Sequence, residues 1–108
     1  MLTDIVRTPI YLRSIRKLKA SAAELAAVEA DILANPESGQ VIPGLKGVRK
    51  IRFAMAGKGK RGGGRAIYYV VWVHGRAYML MAYAKSEKAD LTADDKRAIK
   101  TLLEQLQI

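Results

Sequence analysis

From residue 48 onward, short apolar runs alternate with glycine and charge. "VRKIRFAM" (48–55), "RAIYYVVWV" (65–73) and "RAYMLMAYA" (76–84) each read as a strand, rich in β-branched and aromatic residues. Only His74 and Gly75 separate the last two, which predicts a tight antiparallel hairpin with His74 at a surface turn. Upstream the period changes. In "IYLRSIRKLK", Ile10, Leu12, Ile15 and Leu18 fall at roughly helical spacing, with Arg13, Arg16, Lys17 and Lys19 mostly on other faces. A second helix opens at Ser21. Ser21 and Glu24 have the spacing of a capping box, in which hydroxyl and carboxylate satisfy free backbone N–H groups. Leu25, Val28 and Ile32 form its apolar stripe, and Asn35-Pro36 stops it.

"DIVRTP" (4–9) predicts a short strand before these helices, and "ESGQVIPGLKG" (37–47) a loop. "LTADDKRAIKTLLEQLQI" (91–108) predicts a last helix N-capped by Thr92, with Ile99, Leu102, Leu103 and Leu106 buried. Leu103, Leu106 and Ile108 are also placed to touch a partner. The expected architecture is α+β: a small, mainly antiparallel sheet packed by an N-terminal helical hairpin and a C-terminal helix. Phe53 and Trp72 are expected in the core, Met79 and Met81 as core filler, and Tyr68 and Tyr69 in structural roles.

At 108 residues, half of them apolar, the chain supports one hydrophobic core and is expected to form a single domain over residues 1–108. It has no cysteine and one histidine, which excludes a disulfide framework, thiol chemistry and a multi-histidine metal site. No apolar run is long enough to span a bilayer, and "MLTDIVRTPIYLRSIRK" lacks the apolar stretch of a signal peptide. A soluble cytoplasmic protein is therefore expected, with no membrane association.

Charge sharpens this picture. The net charge is +9, and no acidic residue lies between Glu37 and Glu87. That interval holds ten of the 19 cations: Lys46, Arg49, Lys50, Arg52, Lys58, Lys60, Arg61, Arg65, Arg76 and Lys85. So concentrated an excess points to a polyanionic partner, nucleic acid first, whereas charge serving solubility alone is interspersed with acids. At its centre "GKGKRGGGR" (57–65) packs four cations and five glycines between two predicted strands. It does not fit the phosphate-binding pattern of P-loop enzymes.

Strand alternation indicates which of these cations meet. Lys50 and Arg52 share one face, a charged stripe of about 7 Å pitch. The antiparallel hairpin brings Arg65, at the entry of one strand, near Tyr83 and Lys85, at the exit of the next. A strict two-residue turn would set Arg65 opposite Ala84, sending Tyr83 and Lys85 to the other face. A longer turn or a bulge restores a shared face. In such a cluster a lysine or tyrosine crowded by cations is expected to have its pKa driven down. Glu87 and Asp90 are expected to cap or to pair with lysines.

"GKGKRGG-x-R-x-IYY" followed by "Y-x-K-x-E-x-x-DL" resembles the RelE/HigB group of bacterial type II toxins, over roughly the whole chain. The resemblance implies helices packed on a small twisted sheet. It also implies a ribosome-dependent endoribonuclease that cuts mRNA in the A site without a metal or small-molecule cofactor. Such an enzyme uses the ribose 2′-OH as nucleophile and is neutralised by a cognate antitoxin. Carried over by position, it implies that Lys50 and Arg52 contact phosphate and aid proton transfer, and that Arg65 stabilises the transition state. Tyr83 and Lys85 would stack on a base or move a proton. Lys58, Lys60 and Arg61, with Arg49 and Lys46, are the RNA-binding candidates. The longer, Lys- and Gly-rich loop and "YAKSEK" resemble the HigB-like branch. Two alternatives share the architecture or the charge: a ParE-like toxin that inhibits DNA gyrase without nuclease activity, and a passive RNA-binding module.

Overall fold

A computed structural model describes residues 2–106; Ile108, named above as a possible partner contact, lies outside them. Eight elements follow in order: β1 (Asp4–Arg7), α1 (Pro9–Ile15), α2 (Ala22–Ala34), β2 (Gln40–Val41), β3 (Arg49–Phe53), β4 (Gly64–Val71), β5 (Arg76–Ala84) and α3 (Ala93–Leu106). The strands form one sheet in the order β1-β5-β4-β3-β2. Only the β1–β5 pair is parallel, starting with Asp4 opposite Arg76; the others are antiparallel. The mainly antiparallel α+β expectation holds. Within the stretch expected as loop, Gln40 and Val41 add a short edge strand against β3.

Helices cover both faces. Against one face, Tyr11 of α1 and Val28 and Ile32 of α2 pack on Phe53, Tyr68 and Met79. Against the other, Ile99 and Leu102 of α3 pack with Ile67, Leu80, Met81 and Tyr83. The helix starts obey the cues in the sequence. Ser21 Oγ accepts from Glu24 N at 3.1 Å and Glu24 Oε1 from Ser21 N at 2.8 Å, a complete capping box. Thr8 caps α1 and also donates to the Met79 carbonyl at 2.8 Å. Six residues on, Ser14 Oγ accepts from Ala82 N at 2.9 Å. The side of α1 thus takes over the edge of β5 where β1 ends, leaving that N–H paired.

The hairpin departs from the expected two-residue turn. Trp72–His74 form a 3₁₀ turn closed by Gly75 in the left-handed region (φ 63°), and the last pair is Val71 opposite Arg76. Trp72, expected in the core, stands in this turn and is 55 % exposed, whereas Phe53 is 2 % exposed and fully in the core. Tyr68 is structural as expected: its hydroxyl donates to Pro36 O at 2.8 Å and accepts from Gly39 N at 2.9 Å. The helix predicted to reach Leu18 ends at Ile15.

A β-bulge decides the far end of the sheet. Between the Ile67–Met81 and Tyr68–Met79 pairs, Leu80 has no partner, and the register shifts by one residue. Without that shift the four-residue connection would set Arg65 opposite Ala82. With it, Arg65 lies opposite Tyr83.

Candidate functional site

Three neighbouring strands bring Arg52, Arg65 and Tyr83 into a single row, since Arg52 pairs with Arg65 and Arg65 with Tyr83. Lys50, two residues from Arg52, shares their face. An open groove of about 670 Å³ follows the β3 edge, and Lys50, Arg52, Lys60 and Arg65 all line it. Four of the cations singled out in the sequence therefore converge.

Arg65 is 7 % exposed, the most buried cation of the group, and its fork is occupied. Nη1 donates to Gly64 O at 2.9 Å and Lys60 O at 3.2 Å, and Nη2 donates to Arg61 O at 3.1 Å. A planar guanidinium can serve several carbonyls at once; an ammonium lacks that geometry. The glycine- and lysine-rich loop is therefore folded onto Arg65. Two of its glycines are fixed by packing. A Cβ on Gly63 would lie 2.3 Å from Phe53 O, and one on Gly64 2.5 Å from the Phe53 ring.

Carboxylates absent from the basic interval reach the groove through the fold. Asp31 of α2 lines it, and its Oδ2 lies 3.6 Å from Lys60 Nζ. Asp90 meets Lys50 Nζ at 3.3 Å, the lysine pairing expected of it. The Leu91 N–H bond holds Asp90 below the usual aspartate range; burial opposes this and Lys50 assists it. No sequence signal exposed Asp31, which sits on a helix 29 positions before Lys60.

Tyr83 departs from the electrostatic expectation. Burial pushes its phenol up to about 12, Asp90 and Asp95 add to the rise, and Arg65 opposes it. The cations do not drive this tyrosine toward phenolate. Its hydroxyl is buried and has no hydrogen-bond partner. Although Tyr83 faces Arg65 across the strands, it lines a second cavity, described below.

The remaining candidates are dispersed. Lys85 stands one residue beyond β5, exposed, and its backbone N–H donates to Gly63 O at 3.0 Å. The ammonium over the Tyr83 ring is that of Lys88, 5.3 Å from the centroid. Lys58 lines a separate cleft with Lys19 and Ser86. Arg49 points to the opposite face from Lys50, and its Nη1 donates to Gly39 O at 2.7 Å and Glu37 O at 3.3 Å. Lys46 lies with Lys100 and Glu104 beside Tyr69, in a third cavity. Among the described residues, no three His, Cys, Asp or Glu side chains converge as metal donors, and no helix is long and apolar enough to cross a membrane.

The fold coincides with that of known proteins. A family model described as "RelE toxin of RelE / RelB toxin-antitoxin system" matches residues 5–108. Among solved structures, a mutant of the E. coli toxin RelE in the free state superposes with a TM-score of 0.62 at 14 % identity, covering 95 % of this chain and 99 % of that one. The isolated E. coli RelE toxin gives 0.55 at 18 % identity, covering 92 % and 97 %. The RelBE2 toxin–antitoxin complex from Mycobacterium tuberculosis gives 0.55 at 23 % identity, covering 83 % and 95 %.

Proposed function

The chain belongs to the RelE toxin family, and on that footing we propose that this toxin is a ribosome-dependent endoribonuclease cutting mRNA in the A site. The observation that supports this most directly is the Arg52–Arg65–Tyr83 row beside a groove also lined by Lys50 and Lys60. In the proposed reaction the ribose 2′-OH attacks the adjacent phosphorus. A cyclic phosphate forms, the 5′-oxygen leaves and takes up a proton, and the 2′-OH proton passes to an acceptor.

Charge builds on the phosphoryl oxygens in the transition state, and fixed cations there are the largest source of acceleration. Arg65 and Arg52 carry that role. The carbonyls that hold Arg65 in the free chain are neutral acceptors, so an anionic phosphodiester competes well for the same fork. Lys50 and Lys60 bind the flanking phosphate charge. The Tyr83 phenol, pushed up to about 12, is a proton donor at neutral pH and suits the leaving oxygen or a base-stacking contact. Lys85, on the exposed turn after β5, is the second candidate for proton transfer. Lys58 and Arg61 extend the contact along the RNA.

The partner in this proposal is a cognate antitoxin; the RelBE2 complex, whose toxin shares this fold, supports it. The test uses purified toxin, translating ribosomes and a reporter mRNA, with ends mapped by primer extension. Codon-phased cuts that disappear with Arg65→Ala are expected. No cleavage, with gyrase arrested instead, would overturn the enzymatic reading in favour of the ParE-like one.

A further inference from the structure

The second cavity, about 470 Å³, lies where the end of α1 meets the turn after β5. Arg13 lines it from α1 and Arg16 and Lys17 from just past the end of that helix, together with Tyr83 and Lys88. Among the described residues, none of these three cations pairs with a carboxylate. Two acids also line the cavity. Asp95 is neutralised by Lys88 at 2.7 Å and accepts from Thr92 N at 3.0 Å, leaving Glu87 alone against three cations. Cations at the end of a helix also suit its dipole. That does not account for the cavity.

We propose that this cavity is a second phosphate subsite for single-stranded RNA, holding the backbone next to the segment gripped by Arg52 and Arg65. The two cavities meet at one cross-strand pair: Arg65 lines the first and Tyr83 the second. Neighbouring strands are about 4.8 Å apart, so an RNA crossing β4 and β5 passes from one to the other without leaving the surface. Arg13, Arg16, Lys17 and Lys88 supply the cationic wall. The subsite deepens the reading of the toxin as an RNA-cutting enzyme and rests on it for the identity of its ligand.

The test measures binding by fluorescence anisotropy over a salt series, without ribosomes. The probes are a 2′-O-methyl oligonucleotide, which cannot be cut, and a dinucleotide too short to reach both cavities. The Arg13→Ala/Arg16→Ala double variant is expected to bind the longer RNA about tenfold more weakly at low salt. Its log–log salt slope should be shallower by about two, one for each arginine removed from the phosphate backbone, with dinucleotide binding unchanged. Both arginines are exposed, and thermal melting checks that the variant is folded. Equal binding of the longer RNA by wild type and double variant, no binding by wild type, or an equal loss with the dinucleotide overturns the proposal. Displacement of the longer RNA by poly-glutamate as readily as by unlabelled RNA also overturns it, assigning the cavity to an acidic protein segment. A chain that shows the expected length dependence yet cuts no message on the ribosome loses the enzymatic reading and keeps the subsite. One that cuts normally while the double variant binds like wild type loses only the subsite.

Discussion

Arg65 and Tyr83 stand directly opposite each other on β4 and β5, yet each lines a different cavity. The pair is the seam between a groove whose guanidinium is held by three carbonyls and a cavity beside an unengaged phenol. A one-residue bulge at Leu80 creates it. Without the bulge, strand alternation would put the phenol on the α1–α2 face, away from Arg65.

Arg65→Lys keeps the charge and removes the fork. Its single ammonium cannot reproduce the bonds to Gly64, Lys60 and Arg61. The loop is expected to open, giving faster tryptic cleavage after Lys58, Lys60 or Arg61 in a timed digest. Message cleavage on ribosomes should fall by about 100-fold or more. Unchanged digestion kinetics would show that the fork does not hold the loop.

Two tyrosines carry buried hydroxyls without partners, Tyr11 and Tyr83. Removing such a group relieves a desolvation cost, so each Phe variant is expected to be more stable by about 1 kcal/mol. For a domain of this size the melting temperature should rise by about 4–8 °C. Only Tyr83→Phe should also impair RNA cleavage. Tyr11 belongs to α1 and packs in the other core, so equal losses of activity in both variants would contradict the assignment.

The loop glycines should divide sharply. Gly63→Ala drives a Cβ into the Phe53 carbonyl, an immobile backbone atom, and threatens the Lys85 N–H bond to Gly63 O. It is expected to cost about 2 kcal/mol or more, read from urea midpoints. Gly59 has nothing within 4 Å of its Cβ position and carries no positive φ. There, alanine should stabilise by about 0.4–1 kcal/mol through the unfolded chain. Comparable losses at both positions would mean that the loop is not packed as described.

Acid should weaken the fold through Asp90 and Asp95. For Asp90 the Leu91 N–H bond lowers the pKa, against burial and with help from Lys50. For Asp95 burial is the largest influence and opposes the shift, but Lys88 and Thr92 together outweigh it. A folded pKa below the unfolded one means that the folded state resists protonation. The associated stability is full above about pH 4 and is lost as pH falls through the two depressed values. Denaturant midpoints at several pH values should show the drop. Asp95→Asn should flatten it while lowering stability at neutral pH. A wild-type profile without that drop would rule these two carboxyls out as its source.

Much of this was legible in the sequence because it is local. The Ser21–Glu24 box, the stop at Asn35-Pro36 and the period-2 runs each depend on a few adjacent residues, and all appear as expected. Arg13, Arg16 and Lys17 were equally visible, but the cavity they line is tertiary. The failures share a cause. Trp72 continues an apolar run, yet the 3₁₀ turn that carries it out of the sheet is set by Gly75 and by the pairing of Val71 with Arg76. The pKa of Tyr83 follows from burial under α3 and from Asp90 and Asp95. A count of nearby cations omits both. Asp31 reaches the groove only because α2 passes beneath the loop. Strand alternation allowed two registers, and a bulge chose between them.

The parallel pairing of Asp4 with Arg76 seats the start of the chain beside its last strand. During synthesis Asp4–Arg7 therefore has no berth until residues 76–79 have been made, and Arg65 has no opposing phenol until Tyr83 follows. Such distant pairing forms late in folding. On the proposed reading, a nascent toxin is inert until the strand that carries Tyr83 has been made and has joined the sheet.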